Sequence, residues 1–196
     1  MRCRHLAAAF AVMLLGSAGL QAAAWNIDGT HSSATFKVRH LGISNVTGGF
    51  QKLSGALTLD EADVTKSTVE AVIDATSLDT GDPKRDEHLK SPDFFDVAAH
   101  PTITFKSKKV EKAGEGKLKV TGDLTMRGVT KEVILDVTGP LAPVTAFGGL
   151  RSGVSATTTI NRQDFGVAWS KLMEGGGLVV GNDVAVSIDL ELVQKK

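Results

Sequence analysis

"VAVSIDLEL" (residues 184–192) puts Val184, Val186, Ile188, Leu190 and Leu192 on one side of an extended chain. Ala185, Ser187, Asp189 and Glu191 fall on the other. Successive strand residues point to opposite faces, so a period of two marks an antiparallel strand with one face in a core and one in water. The same rhythm runs through most of the chain. "ATFKVRH" aligns Ala34, Phe36, Val38 and His40 against Thr35, Lys37 and Arg39, and "KLKVTGDLTM" aligns Leu118, Val120, Leu124 and Met126. "KEVILDV", "LSGALTL", "STVEAVIDA", "VSATTTI" and "TITF" complete the set. Strands of this number, separated by Gly- and Asp-rich turns, predict an all-β sandwich or barrel of eight or more strands. "MRGV" (residues 126–129) reads as a hairpin turn in which Gly128 supplies the positive φ. "GPLAPVTAFGG" (residues 139–149) is a loop of linker composition, with no independent domain on either side.

One stretch breaks the rhythm. In "TGDPKRDEHLKSPDFFD" (residues 80–96), Asp82 suits an N-cap and Pro83 the first helical position. A short helix is expected from Pro83 to about Lys90, ending at Ser91 because Pro92 disfavours α geometry there. On a strand, Phe94 and Phe95 would face opposite ways. On a second turn after the helix both rings lean into one opening, and they are placed at a barrel rim.

The first residues have a different character. Arg2, Arg4 and His5 precede the apolar run "LAAAFAVMLL", and "LQAAA" ends in an A-x-A site. This is the layout of a secretory leader, expected at residues 1–24 with cleavage after Ala24, leaving one domain over residues 25–196. Cys3, the only cysteine, falls in the leader, so packing rather than disulfides must hold the fold. Export to the periplasm of a Gram-negative bacterium is the expected destination. Without Arg2 and Arg4 the chain carries 20 basic against 22 acidic side chains, which argues against a nucleic-acid surface.

Five motifs together resemble the YceI-like family of periplasmic lipid-binding proteins: "DGTHSSATFKVRHLGISNVTGGF", "TSLDTGDPKRDEHLKSPDFFD", "HPTITFKSKKV", "VTGDLTMRGVTKEVILDV" and "INRQDFGVAW". They cover nearly the whole chain from Trp25 to Val193. The resemblance implies an antiparallel lipocalin-like β-barrel of about eight strands, with one or two short helices at its mouth. It also implies an apolar tunnel for a long-chain isoprenoid, such as a polyprenyl phosphate or an isoprenoid quinone, or a similar amphiphile. Two departures stand out: the chain has no tyrosine, and Val154 stands where relatives usually place an aromatic after Gly153.

In such a barrel the tunnel residues are Phe36, Val38, His40, Phe94, Phe95, Ile103, Phe105, Leu124, Met126, Ile160, Phe165 and Trp169. The headgroup candidates are Arg85, His88, Asn161, Arg162 and Asp164. Guanidinium N–H pairs suit a phosphate, while a quinone carbonyl needs one neutral donor. The competing reading makes the charged members exposed or salt-linked loop residues, and His40 a satisfied core histidine. The expected partner is the lipid itself, with transient membrane contact, no nucleic acid and no cofactor. Exposed strands can pair, so a homodimer is compatible.

Other chemistries are weaker. His31, His40, His88 and His100 lack metal-ligand spacing and a cysteine, so no metal site is assigned. "EGGGLVVG" lacks the Lys-Ser/Thr of a phosphate loop. "DGTHSS" offers Asp28, His31 and Ser32 or Ser33 for a peptidase or esterase, but a triad is made by geometry, not proximity, and no G-x-S-x-G elbow is present. An interaction module with a side-chain-filled barrel is the third reading. No catalytic residue is assigned.

Overall fold

The computed structural model describes residues 22–196. The expected leader therefore lies outside the described residues, except for Ala22, Ala23 and Ala24. The strands are β1 (Ala23–Ile27), β2 (Ser33–His40), β3 (Ser44–Phe50), β4 (Leu53–Leu59), β5 (Thr68–Asp74) and β6 (Leu78–Asp79). A helix, α1 (Pro83–Lys90), precedes β7 (Thr102–Gly114), β8 (Lys117–Met126), β9 (Val129–Thr138), β10 (Val144–Ala146), β11 (Gly149–Asn161) and β12 (Val180–Gln194). Single 3₁₀ turns form at Val64–Lys66, Ala75–Ser77 and Arg162–Phe165.

Eight strands close a ring in the order β11, β9, β8, β7, β5, β4, β1 and β12, with β12 returning to β11. Every ladder in it is antiparallel. Closure removes the free edges that an open sheet of this size would expose. The 15 residues of β12 border β11 on one side and both β1 and β2 on the other. Past β2 the sheet continues through β3 to β6, and the β3–β6 ladder has just two pairs, Gly49↔Asp79 and Phe50↔Leu78. On that side α1 and residues 91–96 take the place of a strand. Phe95 meets Phe50 edge-on with ring centroids 5.6 Å apart, and Phe94 packs in one cluster with Ile103 and Met126.

Local chemistry explains the helix. Asp82 Oδ1 accepts from the Arg85 backbone N–H at 3.0 Å, Pro83 opens the first turn, and Ser91 caps the C-terminal end. The tight turn after it follows from Phe94 N–H donating to Ser91 O (3.0 Å) and Phe95 N–H to Leu89 O (2.9 Å). At the β8–β9 hairpin Arg127 and Gly128 have φ of 51° and 72°, a two-residue loop matched to strand twist. Gly122 has a packing reason: a Cβ there would stand 2.5 Å from Phe105 Cζ, so the ring lies across the bare backbone. The stretch of linker composition differs from expectation. Its Val144, Thr145 and Ala146 pair with β11 as edge strand β10, because Phe147 and Gly148 turn the chain back at once.

Three buried clusters make the wall. One gathers Phe94, Ile103, Met126 and Phe165, a second Trp25, Ile27, Leu53 and Leu192, and a third Val110, Val120, Leu135 and Val137. They surround a hollow instead of meeting at its axis. The end bearing α1 and the β8–β9 turn is called the helical end. The opposite end bears the β7–β8 turn and the β10–β11 hairpin.

Candidate functional site

The hollow has a volume of about 260 Å³ and is walled by side chains from all around the ring. This is just below the roughly 300–1,000 Å³ usual for small-molecule sites. Strand alternation builds the wall. Val184, Val186, Ile188, Leu190 and Leu192 of β12 face in, while Ala185, Ser187 and Asp189 are exposed. Phe36, Val38, Phe94, Phe95, Ile103, Phe105, Leu124, Met126 and Ile160 all line the hollow.

Almost no polar atom faces this space. The hydroxyls of Thr158, Ser152 and Ser67 bond to the backbone. Thr158 Oγ1 donates to Ile134 O (2.9 Å), Ser152 Oγ donates to Leu141 O (2.7 Å), and Ser67 Oγ accepts from the Asp60 N–H (3.0 Å). A carbonyl buried there without a partner would cost about 2–7 kcal/mol, and an ionised phosphate far more. The wall therefore suits hydrocarbon alone, and any polar head belongs at an opening.

His40, Phe165 and Trp169 lie beside the lining. His40 ends β2 opposite Val180 and is half-buried. Phe165 is buried in the cluster behind Phe94. The Trp169 ring sits 5.3 Å from that of Phe94 and 5.5 Å from that of His88. These two aromatics back the plug formed by residues 91–96.

The five polar candidates all gather at the helical end, but most are already engaged. Arg85 donates from Nε to Thr80 Oγ1 (2.7 Å) and from Nη2 to Thr80 O (2.9 Å). His88 Nε2 lies 2.9 Å from Asp93 Oδ2, and the ring stands edge-on to Phe94. Asn161 Oδ1 caps the 3₁₀ turn by accepting from the Gln163 N–H at 3.0 Å, and Asp164 is exposed. Arg162 alone of the five reaches the lining. It is 4% exposed, and its five N–H groups serve five neutral acceptors. Nε donates to Gly181 O, Nη1 to Val167 O and Trp169 O, and Nη2 to Val180 O and Asn182 Oδ1, at 2.6–3.3 Å. No carboxylate pairs with it among the described residues. Burial pushes its pKa down from the ordinary arginine value. Arg162 thus stitches residues 167–169 to the start of β12, and places an unneutralised charge behind the wall.

Arg127 escapes a reading by pattern, since it looks like one exposed turn residue. Its guanidinium donates from Nη1 to Phe94 O and from Nη2 to Pro92 O (2.7 Å), latching the plug to the β8–β9 hairpin. The adjacent "RG" turn was the only signal in the chain.

The "DGTHSS" residues form a different group. Asp28 Oδ2 accepts from His31 Nδ1 (3.1 Å) and from Arg151 Nη1 (3.0 Å), and Arg151 also pairs with Glu191. His31 and then Arg151 hold the Asp28 carboxyl well below the usual carboxylate range. Ser32 Oγ accepts from the Glu191 N–H at 2.9 Å and donates to Glu191 O, so its hydroxyl serves a backbone contact. Asp28, His31 and Glu191 lie close enough to suggest a cation site, but the Arg151 guanidinium fills the position a metal ion would take.

Comparison with known proteins adds the following. Residues 25–192 match the model of the YceI-like domain. A UPF0312 protein of Vibrio parahaemolyticus is 42% identical over 169 residues, which cover 85% of this chain and 89% of the relative. The crystal structure of Burkholderia cenocepacia BcnA superposes with a TM-score of 0.73 at 25% identity, over 84% of this chain and 98% of that one. A polyisoprenoid binding domain from Saccharophagus degradans shares the fold with a TM-score of 0.65 at 21% identity, over 88% and 99% of the two chains.

Proposed function

Because the chain belongs to the YceI-like family, we propose that its barrel binds the hydrocarbon tail of a long-chain isoprenoid amphiphile, and stores or carries it in the periplasm. The single observation behind this reading is the hollow, enclosed by apolar side chains and nearly bare of polar atoms. The Saccharophagus degradans neighbour, described as a polyisoprenoid binding domain, supports the same class of ligand through the shared fold. Export by the leader at residues 1–24 would bring the chain to the compartment between two membranes.

Energetics suit a carrier. Each ~100 Å² of tail surface removed from water is worth about 2.5 kcal/mol. A bilayer already supplies that gain, so exchange between barrel and membrane lies near balance and needs no covalent step. The role is binding, without catalysis and without a resident cofactor. The head, a phosphate or a quinone ring, stays at an opening where water and side chains satisfy it. Arg162 contributes there through its charge alone, because its donors are occupied.

The test is a titration of delipidated protein with a prenylated quinone, read by quenching of Trp25 and Trp169 fluorescence. Saturable uptake at one lipid per barrel is expected. Ala156, buried in the wall, is the blocking position, and Ala156→Trp should abolish uptake while the protein stays folded by circular dichroism. Uptake by a folded Ala156→Trp variant equal to that of the wild type would sink the reading.

A further inference from the structure

Two groups of apolar side chains stand in solvent at opposite ends of the barrel. At the helical end, Leu41 and Ile43 occupy the β2–β3 turn and Leu172 an adjoining loop, with Ile43 81% and Leu172 71% exposed. Backbone hydrogen bonds join the two loops into one surface. Leu41 N–H donates to Val179 O (2.8 Å), and Val179 N–H donates to Lys171 O (2.9 Å). The surface adjoins the hollow: Val180, next in the chain, lines it and stands opposite His40. Trp169, three residues before Leu172, packs on Phe94 of the plug.

Two exposed cations stand beside this apolar trio. Arg39 and Lys171 flank the apolar trio, and neither has an ion-pair partner among the described residues. Glu174, also exposed, is the one carboxylate on the 172–178 loop. At the other end Leu141, Val144 and Phe147 are 60%, 60% and 92% exposed, and the cation beneath the Phe147 ring, Arg151, is already neutralised by Asp28 and Glu191. Protruding apolar side chains with free cations beside them match the interface of an anionic bilayer, where apolar burial and electrostatic attraction act together.

We propose that the helical end is a membrane-docking surface selective for anionic lipid, with Leu41, Ile43 and Leu172 entering the headgroup boundary and Arg39 and Lys171 meeting lipid phosphates. This rests on the carrier reading above and adds to it the route of loading. A tail would pass between bilayer and hollow beside the plug without crossing water.

Co-sedimentation with vesicles tests it. The wild type should bind vesicles containing phosphatidylglycerol, weaken as salt rises, and bind phosphatidylcholine vesicles poorly. Ile43→Asp with Leu172→Asp should weaken binding by about tenfold or more. Arg39→Glu with Lys171→Glu should remove the preference for phosphatidylglycerol, and Phe147→Asp should bind as the wild type does. All variants should take up a prenylated quinone from detergent solution normally, which shows that they are folded. The proposal is overturned if the wild type ignores phosphatidylglycerol vesicles, or if Ile43→Asp/Leu172→Asp binds them undiminished. It is equally overturned if Phe147→Asp is the variant that loses binding, or if the patch proves to join two copies, seen as a wild-type dimer that the double variant dissociates. A wild type that docks yet takes up no quinone from detergent would remove the carrier reading and leave the docking surface standing.

Discussion

Replacing Arg162 by Met should cost the fold about 3–5 kcal/mol, because five neutral acceptors lose one shared charged donor. Met keeps the apolar stem but removes all five donors. Val167 O, Trp169 O, Val180 O, Gly181 O and Asn182 Oδ1 then lose their contacts. Hydrogen bonds to a charged donor contribute about 1.5–3 kcal/mol each. Water reaching the partly exposed acceptors, and relief from burying a charge, offset much of that sum. The assay is urea denaturation. With a slope of ~2 kcal/mol per molar, the midpoint should fall by about 2 M. Arg162→Lys, with three donors on a flexible stem, should fall between the two. A loss under about 1 kcal/mol for Arg162→Met would refute the view of Arg162 as the staple that holds residues 167–169 to β12.

Phe94→Ala should destabilise by about 3–5 kcal/mol, since the ring is buried against Trp169 and His88, whereas half-buried Phe95 should cost less and mainly reduce retained lipid. Thermal melts and lipid extraction separate the two effects. Asp28→Asn should lower stability at neutral pH. The folded-state pKa of Asp28 lies below its unfolded value, so its contribution is complete above about pH 4 and fades as pH falls further. The gap between wild type and variant should therefore close on acidification, and a gap constant from pH 7 to 2 would contradict the ion pair. Expressed with its leader in a Gram-negative host, the chain should be recovered from the periplasm with Trp25 first, read by intact mass. Ala23 and Ala24, opposite Leu59 and Thr58 in β1, would be lost at that step.

Strands were legible wherever alternation was strong, because inward and outward faces differ in chemistry at every second residue of β2, β8 and β12. The helix was legible to the residue, since Asp82, Pro83 and Pro92 act within one turn of themselves. Ring closure was not legible in the alternation, which leaves sandwich and barrel both open; the family resemblance implied it. Closure depends on β12 bordering β11 and β1 at once, and no local pattern pairs Ile27 with Leu192. The linker-like stretch misled for the opposite reason: its Pro and Gly content masked a three-residue edge strand. At the site, inward aliphatic residues follow from alternation. The role of Arg162 does not, because its acceptors converge only after β12 returns to the 3₁₀ turn. Trp169 looked like a tunnel residue by composition, yet its neighbours are Phe94 of the plug and His88 of α1, which lie far earlier in the sequence.

What the barrel carries when it leaves the cell is the most direct measure of its purpose. Protein purified without detergent should be analysed by native mass spectrometry, followed by organic extraction of the same sample. An isoprenoid amphiphile near one molecule per barrel, lost on Ala156→Trp, is the expected result. A barrel that is empty, and stays empty after incubation with prenyl lipid, would contradict the claim that its apolar walls enclose a binding space.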